Sequence, residues 1–194
     1  MILFVFGLIL VVGGAFSQNP RRCNVPKQME FRANKIDHRE KTTTLYKQVV
    51  YDAVNKRIAW IEEDKSFSQK VDYHARIYLY NKNIVYDINI SAQTCSKKPI
   101  NKPFHEFHIP ANATFVVDMA IGGPGEELFG QMWADAFPDQ IEWFGVFSLK
   151  NCFPIRDHRF TKDTTKEASS IYFFDTVEGI SHPDIFIPPA LCNV

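Results

Sequence analysis

The sequence predicts a mainly β fold of antiparallel strands, and three observations carry that expectation. Apolar residues alternate with polar ones in several short runs, the period of a half-buried strand. Short Asn- and Lys-containing turns separate consecutive runs. Proline-rich stretches at Pro99 to Pro110 and Pro183 to Pro189 read as ordered loops or edges, because proline cannot donate to a central ladder. Strands joined by short turns, with few helices, imply one curved antiparallel sheet or a sandwich.

The elements follow in order. Leu45 to Ala53 is rich in Val and Tyr, Asn55-Lys56 turns the chain, and Arg57 to Glu62 returns as the second arm of a hairpin. Val71, Tyr73, Ala75, Ile77 and Leu79 alternate with Asp72, His74 and Arg76. Asn81-Lys82-Asn83 turns that strand into Ile84 to Ile90. Further strands are expected over Thr114 to Ala120, Ile141 to Leu149 and Ser170 to Val177. Glu126 to Phe137 fits both periods, since Leu128, Phe129, Met132 and Trp133 suit a helix or a strand.

Some strands are apolar on both faces. Ile141 to Leu149 holds Ile141, Trp143, Phe144, Val146, Phe147 and Leu149. Such a strand lies inside a thick core, or between a core and a partner chain or lipid-sized ligand. On the ligand reading, Tyr78, Trp133, Trp143, Phe144 and Phe147 are the candidate pocket wall. Alternation puts Trp143, Gly145 and Phe147 on one face and Phe144 and Val146 on the other. Gly145 is expected to leave space between Trp143 and Phe147, which favours that face as the ligand-facing one.

Ile2 to Val12 is an uncharged apolar run, too short to span a bilayer. Gly13-Gly14 and Ala15-Phe16-Ser17 follow, with small residues where a signal peptidase reads. Residues 1–17 are therefore expected to be a removed signal peptide, leaving one domain over 18–194. No later stretch approaches a transmembrane length, so a secreted, soluble chain is expected. Lys plus Arg and Asp plus Glu both number 22, for a net charge of zero. No strong field is available to hold nucleic acid, and nucleic-acid binding is not expected.

Cys23, Cys95, Cys152 and Cys192 are widely spaced and include no Cys-x-x-Cys pair, which argues against zinc or redox chemistry. In an oxidising compartment they read as two disulfides, with three pairings open. Asn89-Ile90-Ser91 and Asn112-Ala113-Thr114 are N-glycosylation sequons. If Ile84, Tyr86, Ile88 and Ile90 face the core, Asn89 faces water.

Enzymatic signals are poor, and the expectation is a protein without catalytic residues or a required cofactor. There is no Gly-x-Ser-x-Gly elbow. His105-Glu106-Phe107-His108 lacks the spacing of zinc proteases, and on a strand its histidines face opposite sides. Gly122-Gly123-Pro124-Gly125 lacks the Lys-Ser/Thr of a phosphate loop and reads as a tight turn with glycine at positive φ. Glu62-Glu63-Asp64 and Glu126-Glu127 are acidic clusters without the spacing of a calcium loop, so no metal ligands are assigned.

The chain resembles the ependymin-related proteins. The residues that carry the resemblance are Cys23-x-x-Pro26, Tyr51-Asp52-x-x-Asn55-x-Arg57, Cys95-Ser96-Lys97 and Ile109-Pro110-x-Asn112-x-Thr114-Phe115. Ile121-Gly122-Gly123-Pro124, Trp133-x-Asp135, Cys152-x-Pro154, Phe173-Phe174-Asp175 and Gly179-Ile180 follow, then Pro183, Phe186, Pro188-Pro189 and Cys192. The resemblance implies two stacked antiparallel sheets curled around a deep apolar pocket, similar to bacterial lipoprotein carriers. It also implies a secreted or lysosomal glycoprotein that binds lipid or another hydrophobic ligand and forms homodimers. The alternative it offers is a calcium-linked glycoprotein of the extracellular matrix and cell adhesion, without a filled pocket. By the same resemblance Cys23 pairs with Cys152 and Cys95 with Cys192. A further cysteine pair of some members has no counterpart here.

Overall fold

The structure is a computed structural model that describes residues 20–64, 72–136, 141–161 and 168–192. The expected leader at 1–17 and Val71 lie outside the described residues.

Eleven strands form one hydrogen-bonded antiparallel sheet. They are β1 Gln28–Asp37, β2 Thr42–Asp52, β3 Arg57–Asp64, β4 Asp72–Leu79, β5 Ile84–Asn89 and β6 Thr94–Pro99. The rest are β7 Thr114–Ile121, β8 Leu128–Ala136, β9 Ile141–Ser148, β10 Pro154–Thr161 and β11 Ser169–Glu178. Their order in the sheet is β6-β5-β4-β3-β2-β1-β11-β10-β9-β8-β7. The antiparallel β class stands, and hydrogen bonds between β1 and β11 make the strands one sheet rather than two separate ones.

That order makes β6 and β7 the two edges, although they are consecutive in the chain. Laid flat, strands about 4.8 Å apart would separate the edges by about 48 Å, a span that residues 100–113 reach only if fully extended at about 3.4 Å each. Ala113 N donates back to Pro110 O at 3.0 Å, so this segment is not fully extended and the sheet must curl. Bulges at Phe31/Ala33, Tyr46/Gln48 and Phe115/Val117 supply bending and extra twist.

Residues 100–113 form a strap that packs on the sheet's inner face. Met29, Phe31 and Ala33 of β1, Val49 and Tyr51 of β2, Trp133 of β8, Trp143 and Phe147 of β9, and Phe173 of β11 join Ile109 and Ala113 of the strap in the larger core. A second core lies on the outer face of β2 to β5, where Val50, Ala59, Ile77 and Ile88 meet Phe186 of the C-terminal segment. The bonds Cys23–Cys152 and Cys95–Cys192, with Cα separations of 5.7 and 5.2 Å, are the pairs the resemblance implies. The second ties that C-terminal segment to edge strand β6.

The ambiguous stretch around Leu128 to Trp133 is a strand, because both its edges are used: β8 pairs with β7 on one side and β9 on the other. Ile84, Tyr86, Ile88 and Ile90 do not all face the core. Ile88 is buried and Ile84 and Tyr86 are half-buried, but Ile90 lies past the end of β5 and is exposed.

Candidate functional site

Several motif residues serve the frame. Asp52, at the end of β2, is fully buried and collects four donors. Gln28 Nε2 and Asn55 N reach its Oδ1 at 3.1 Å, while Asn55 Nδ2 and Arg57 Nε reach its Oδ2 at 2.8 and 2.7 Å. Burial raises the Asp52 pKa, but these donors outweigh it and hold the carboxyl below its ordinary value. The Tyr51-Asp52-x-x-Asn55-x-Arg57 pattern is thus a turn clamp. Gly122 and Gly125 sit at φ +106° and +89° in the turn between β7 and β8, as the sequence predicts for a tight turn.

The inner face of β1 to β4 carries a continuous row of aromatic rings. Tyr46 meets Trp60 at 5.7 Å, Trp60 meets Tyr78 at 4.7 Å, and Tyr78 stacks on Tyr80 at 5.9 Å. Tyr80 meets Phe104 of the strap at 5.1 Å, and Phe104 stacks on Tyr51. Phe107 of the strap then touches Tyr51, Phe31 and Phe173. Along this row burial falls off: Tyr51, Phe31 and Phe173 are buried, whereas Tyr46, Trp60, Tyr78, Tyr80 and Phe104 are half-buried. The half-buried end opens at Tyr80 and Phe104 onto a hollow of about 570 Å³, rimmed by Lys56, Lys102 and Glu106.

Tyr51, Tyr78 and Tyr80 of the row stay uncharged at physiological pH. Burial pushes the Tyr51 phenol up to about 12, against the opposing bond from Phe107 N to its oxygen at 3.1 Å. Burial likewise raises the Tyr78 and Tyr80 phenols. The indole Nε1 of Trp60 is buried with no hydrogen-bond partner, a cost an acceptor on a bound molecule would remove. Beside Trp60 the same face turns polar. Arg76 bridges Glu62 at 2.8 Å and Asp87 at 3.3 Å, and Lys98 approaches Asp87 at 3.5 Å. Burial lowers the Arg76 pKa, but Glu62 and Asp87 together raise it above its ordinary value.

The five predicted wall residues fall in three places. Tyr78 is in the aromatic row. Trp133, Trp143 and Phe147 lie in the larger core, each no more than 4% exposed. Phe144 is on the other face, stacked on His158 at 4.4 Å. The space expected at Gly145 is absent: a Cβ there would sit 2.5 Å from the Trp143 ring and 2.8 Å from Phe147, because both rings lean across the glycine. The indole of Trp143 is held in that pose by Asp157 Oδ2, which accepts from Nε1 at 2.8 Å. Trp60, Tyr80 and Phe104 were not anticipated. The alternation of Ile58 with Trp60 carried the signal for Trp60, while Phe104 was hidden in a stretch that reads as proline-rich loop.

In the His105 to His108 stretch only Phe107 turns inward. His105, Glu106 and His108 are exposed, and Glu106 pairs with Lys27. Among the described residues no group of three or more His, Cys, Asp or Glu side chains is placed to hold a metal ion, and no helix is long and apolar enough to cross a membrane.

Sheet, strap and aromatic row define a disulfide-tied antiparallel β protein with an aromatic inner face. The chain belongs to the ependymin family, whose pattern it matches over residues 68–192. It is 30% identical over 185 residues to mammalian ependymin-related protein 1 of Rattus norvegicus, covering 90% of this chain and 77% of the relative. The Mus musculus protein of the same name matches at the same identity and coverage. Ependymin-1 of Oncorhynchus mykiss is 22% identical over 147 residues, covering 74% of this chain and 65% of the relative. An uncharacterised conserved protein of Thermus thermophilus superposes with a TM-score of 0.48 at 10% identity, over 85% of this chain and 87% of that one.

Proposed function

We propose that the protein is a secreted glycoprotein that binds a lipid or fatty-acyl ligand on the inner face of its sheet, along Tyr46, Trp60, Tyr78, Tyr80 and Phe104. The observation that carries this reading is the half-buried aromatic row itself. Its rings touch in edge-to-face, tilted and stacked pairs, yet are only half-buried; Tyr80 and Phe104 line a hollow, and the Trp60 indole N–H has no acceptor. Covering the exposed part of the rings would contribute about 25 cal/mol per Å² buried, less the cost of ordering the ligand. The apolar leader run, the sequons and the two disulfides support the secretory part of the reading.

Organic extraction of the secreted protein followed by mass spectrometry tests the ligand directly. Co-purified lipid in near-stoichiometric amount is expected. A protein that carries none, and takes up none when offered an acyl lipid, contradicts the reading.

A further inference from the structure

A second hollow, of about 500 Å³, lies at the other end of the strap. Its wall is made by Arg21, Arg22, Asn112, Phe115 and Trp133. Arg22 donates to Ala113 O at 3.1 Å and holds its guanidinium 5.7 Å from the centre of the Trp133 ring. Phe115 meets Trp133 edge to face at 5.6 Å. Trp133 is 3% exposed, and its Nε1 has no hydrogen-bond partner. Aromatic rings, guanidinium donors and a spare indole N–H suit a ligand with an apolar face and many acceptors, which is the chemistry of a pyranose ring bearing an acetamide.

Asn112 is exposed and belongs to a sequon, and it is itself part of the wall. We propose that the first N-acetylglucosamine of a glycan on Asn112 is seated in this hollow between Phe115 and the arginines, as a packed part of the fold. The inference rests on the reading of the chain as a secretory glycoprotein. In the attachment step Asn112 Nδ2 displaces the diphosphate of a lipid-linked oligosaccharide, loses one proton, and forms the N-glycosidic bond. Once attached, the sugar is tethered at the mouth of its own site, so a weak contact is occupied at high effective concentration. The other sequon differs: Asn89 sits at the end of β5, where its Oδ1 caps Ala92 N at 2.6 Å. It lines neither of the two hollows described above.

The test uses the full chain secreted from eukaryotic cells. Glycopeptide mapping reports whether Asn112 is occupied, which tests the glycoprotein reading separately from the seat. Thermal unfolding then compares wild type, high-mannose protein trimmed to a single sugar, Asn112→Gln and Asn89→Gln. Thr114→Ala is a second way to empty the site if Asn112→Gln is not secreted. Loss of the Asn112 glycan should lower Tm by about 2–4 °C, one residual sugar should keep the wild-type value, and Asn89→Gln should change little. In an Arg21→Ala background the Asn112 effect should shrink to less than half. The proposal is overturned by an unoccupied Asn112, by equal effects of the two sequon variants, or by an Asn112 effect that Arg21→Ala leaves intact.

Discussion

Arg57 donates Nε to the buried carboxylate of Asp52 at 2.7 Å, and its guanidinium lies 4.0 Å above the ring of Phe186. One side chain thus joins the turn between β2 and β3 to the C-terminal segment. Asp52→Ala strands Asn55, Gln28 and Arg57 without their shared acceptor, and should cost about 3 kcal/mol. Chemical denaturation measures it; a loss below about 0.5 kcal/mol, the range of an ordinary surface substitution, would remove the clamp from the account.

The same C-terminal segment is held by Cys95–Cys192. Replacing both cysteines with serine should cost about 2–5 kcal/mol and reduce secretion. Peptide mapping without reduction should return Cys23–Cys152 and Cys95–Cys192 peptides. A Cys23–Cys95 peptide would refute the pairing.

Gly145 offers a sharp steric test. Its missing side chain is replaced by the rings of Trp143 and Phe147, so Gly145→Ala should destabilise by about 1–3 kcal/mol through overpacking. Unchanged unfolding would mean that a methyl-sized space exists there after all.

Acid should weaken the junction of β10 and β11. His158 Nδ1 and His38 Nε2 both reach Ser170 Oγ, at 2.5 and 2.9 Å. Burial, then the charges of Arg156 and His38, lower the His158 pKa below its ordinary 6.5, against a smaller opposing effect of Asp157. The unfolded chain therefore takes up this proton first. The stability His158 contributes is present above pH 6.5 and is lost as pH falls from there through its lower folded pKa. Tm should drop between about pH 7.5 and about pH 5.5, and His158→Gln should flatten that drop. An equal slope in both proteins would place the acid sensitivity elsewhere.

Most strands were legible because their alternation is clean, as in Ala75, Ile77 and Leu79. Of the three that escaped, β1 does alternate, with Met29, Phe31 and Ala33 against Glu30, Arg32 and Asn34, and its period-2 signal was there to be read; β6 and β10 lack it for physical reasons. Edge strand β6 reads Thr-Cys-Ser-Lys-Lys-Pro and has almost no apolar face to bury. In β10 the buried ends Pro154 and Thr161 flank a charged middle, Arg156-Asp157-His158-Arg159, which hides the strand although its ladder partners β9 and β11 are its neighbours in the chain. The site was half legible. Large aromatics on strands were visible as a set, but whether Trp143 or Trp60 stays half open depends on where the strap runs. The strap's course follows from strand order, which periodicity does not encode.

The central claim is that the aromatic row binds an apolar ligand, and a single titration tests it most directly. Protein stripped of resident lipid is titrated with a fluorescent fatty-acyl probe, alongside Trp60→Ala and Tyr78→Ala, with folding of each checked by circular dichroism. The account predicts saturable binding by wild type that is insensitive to salt and weakened about tenfold or more by Trp60→Ala, a loss of about 1.4 kcal/mol. No binding by wild type, or binding by folded Trp60→Ala and Tyr78→Ala as tight as that of wild type, would contradict it.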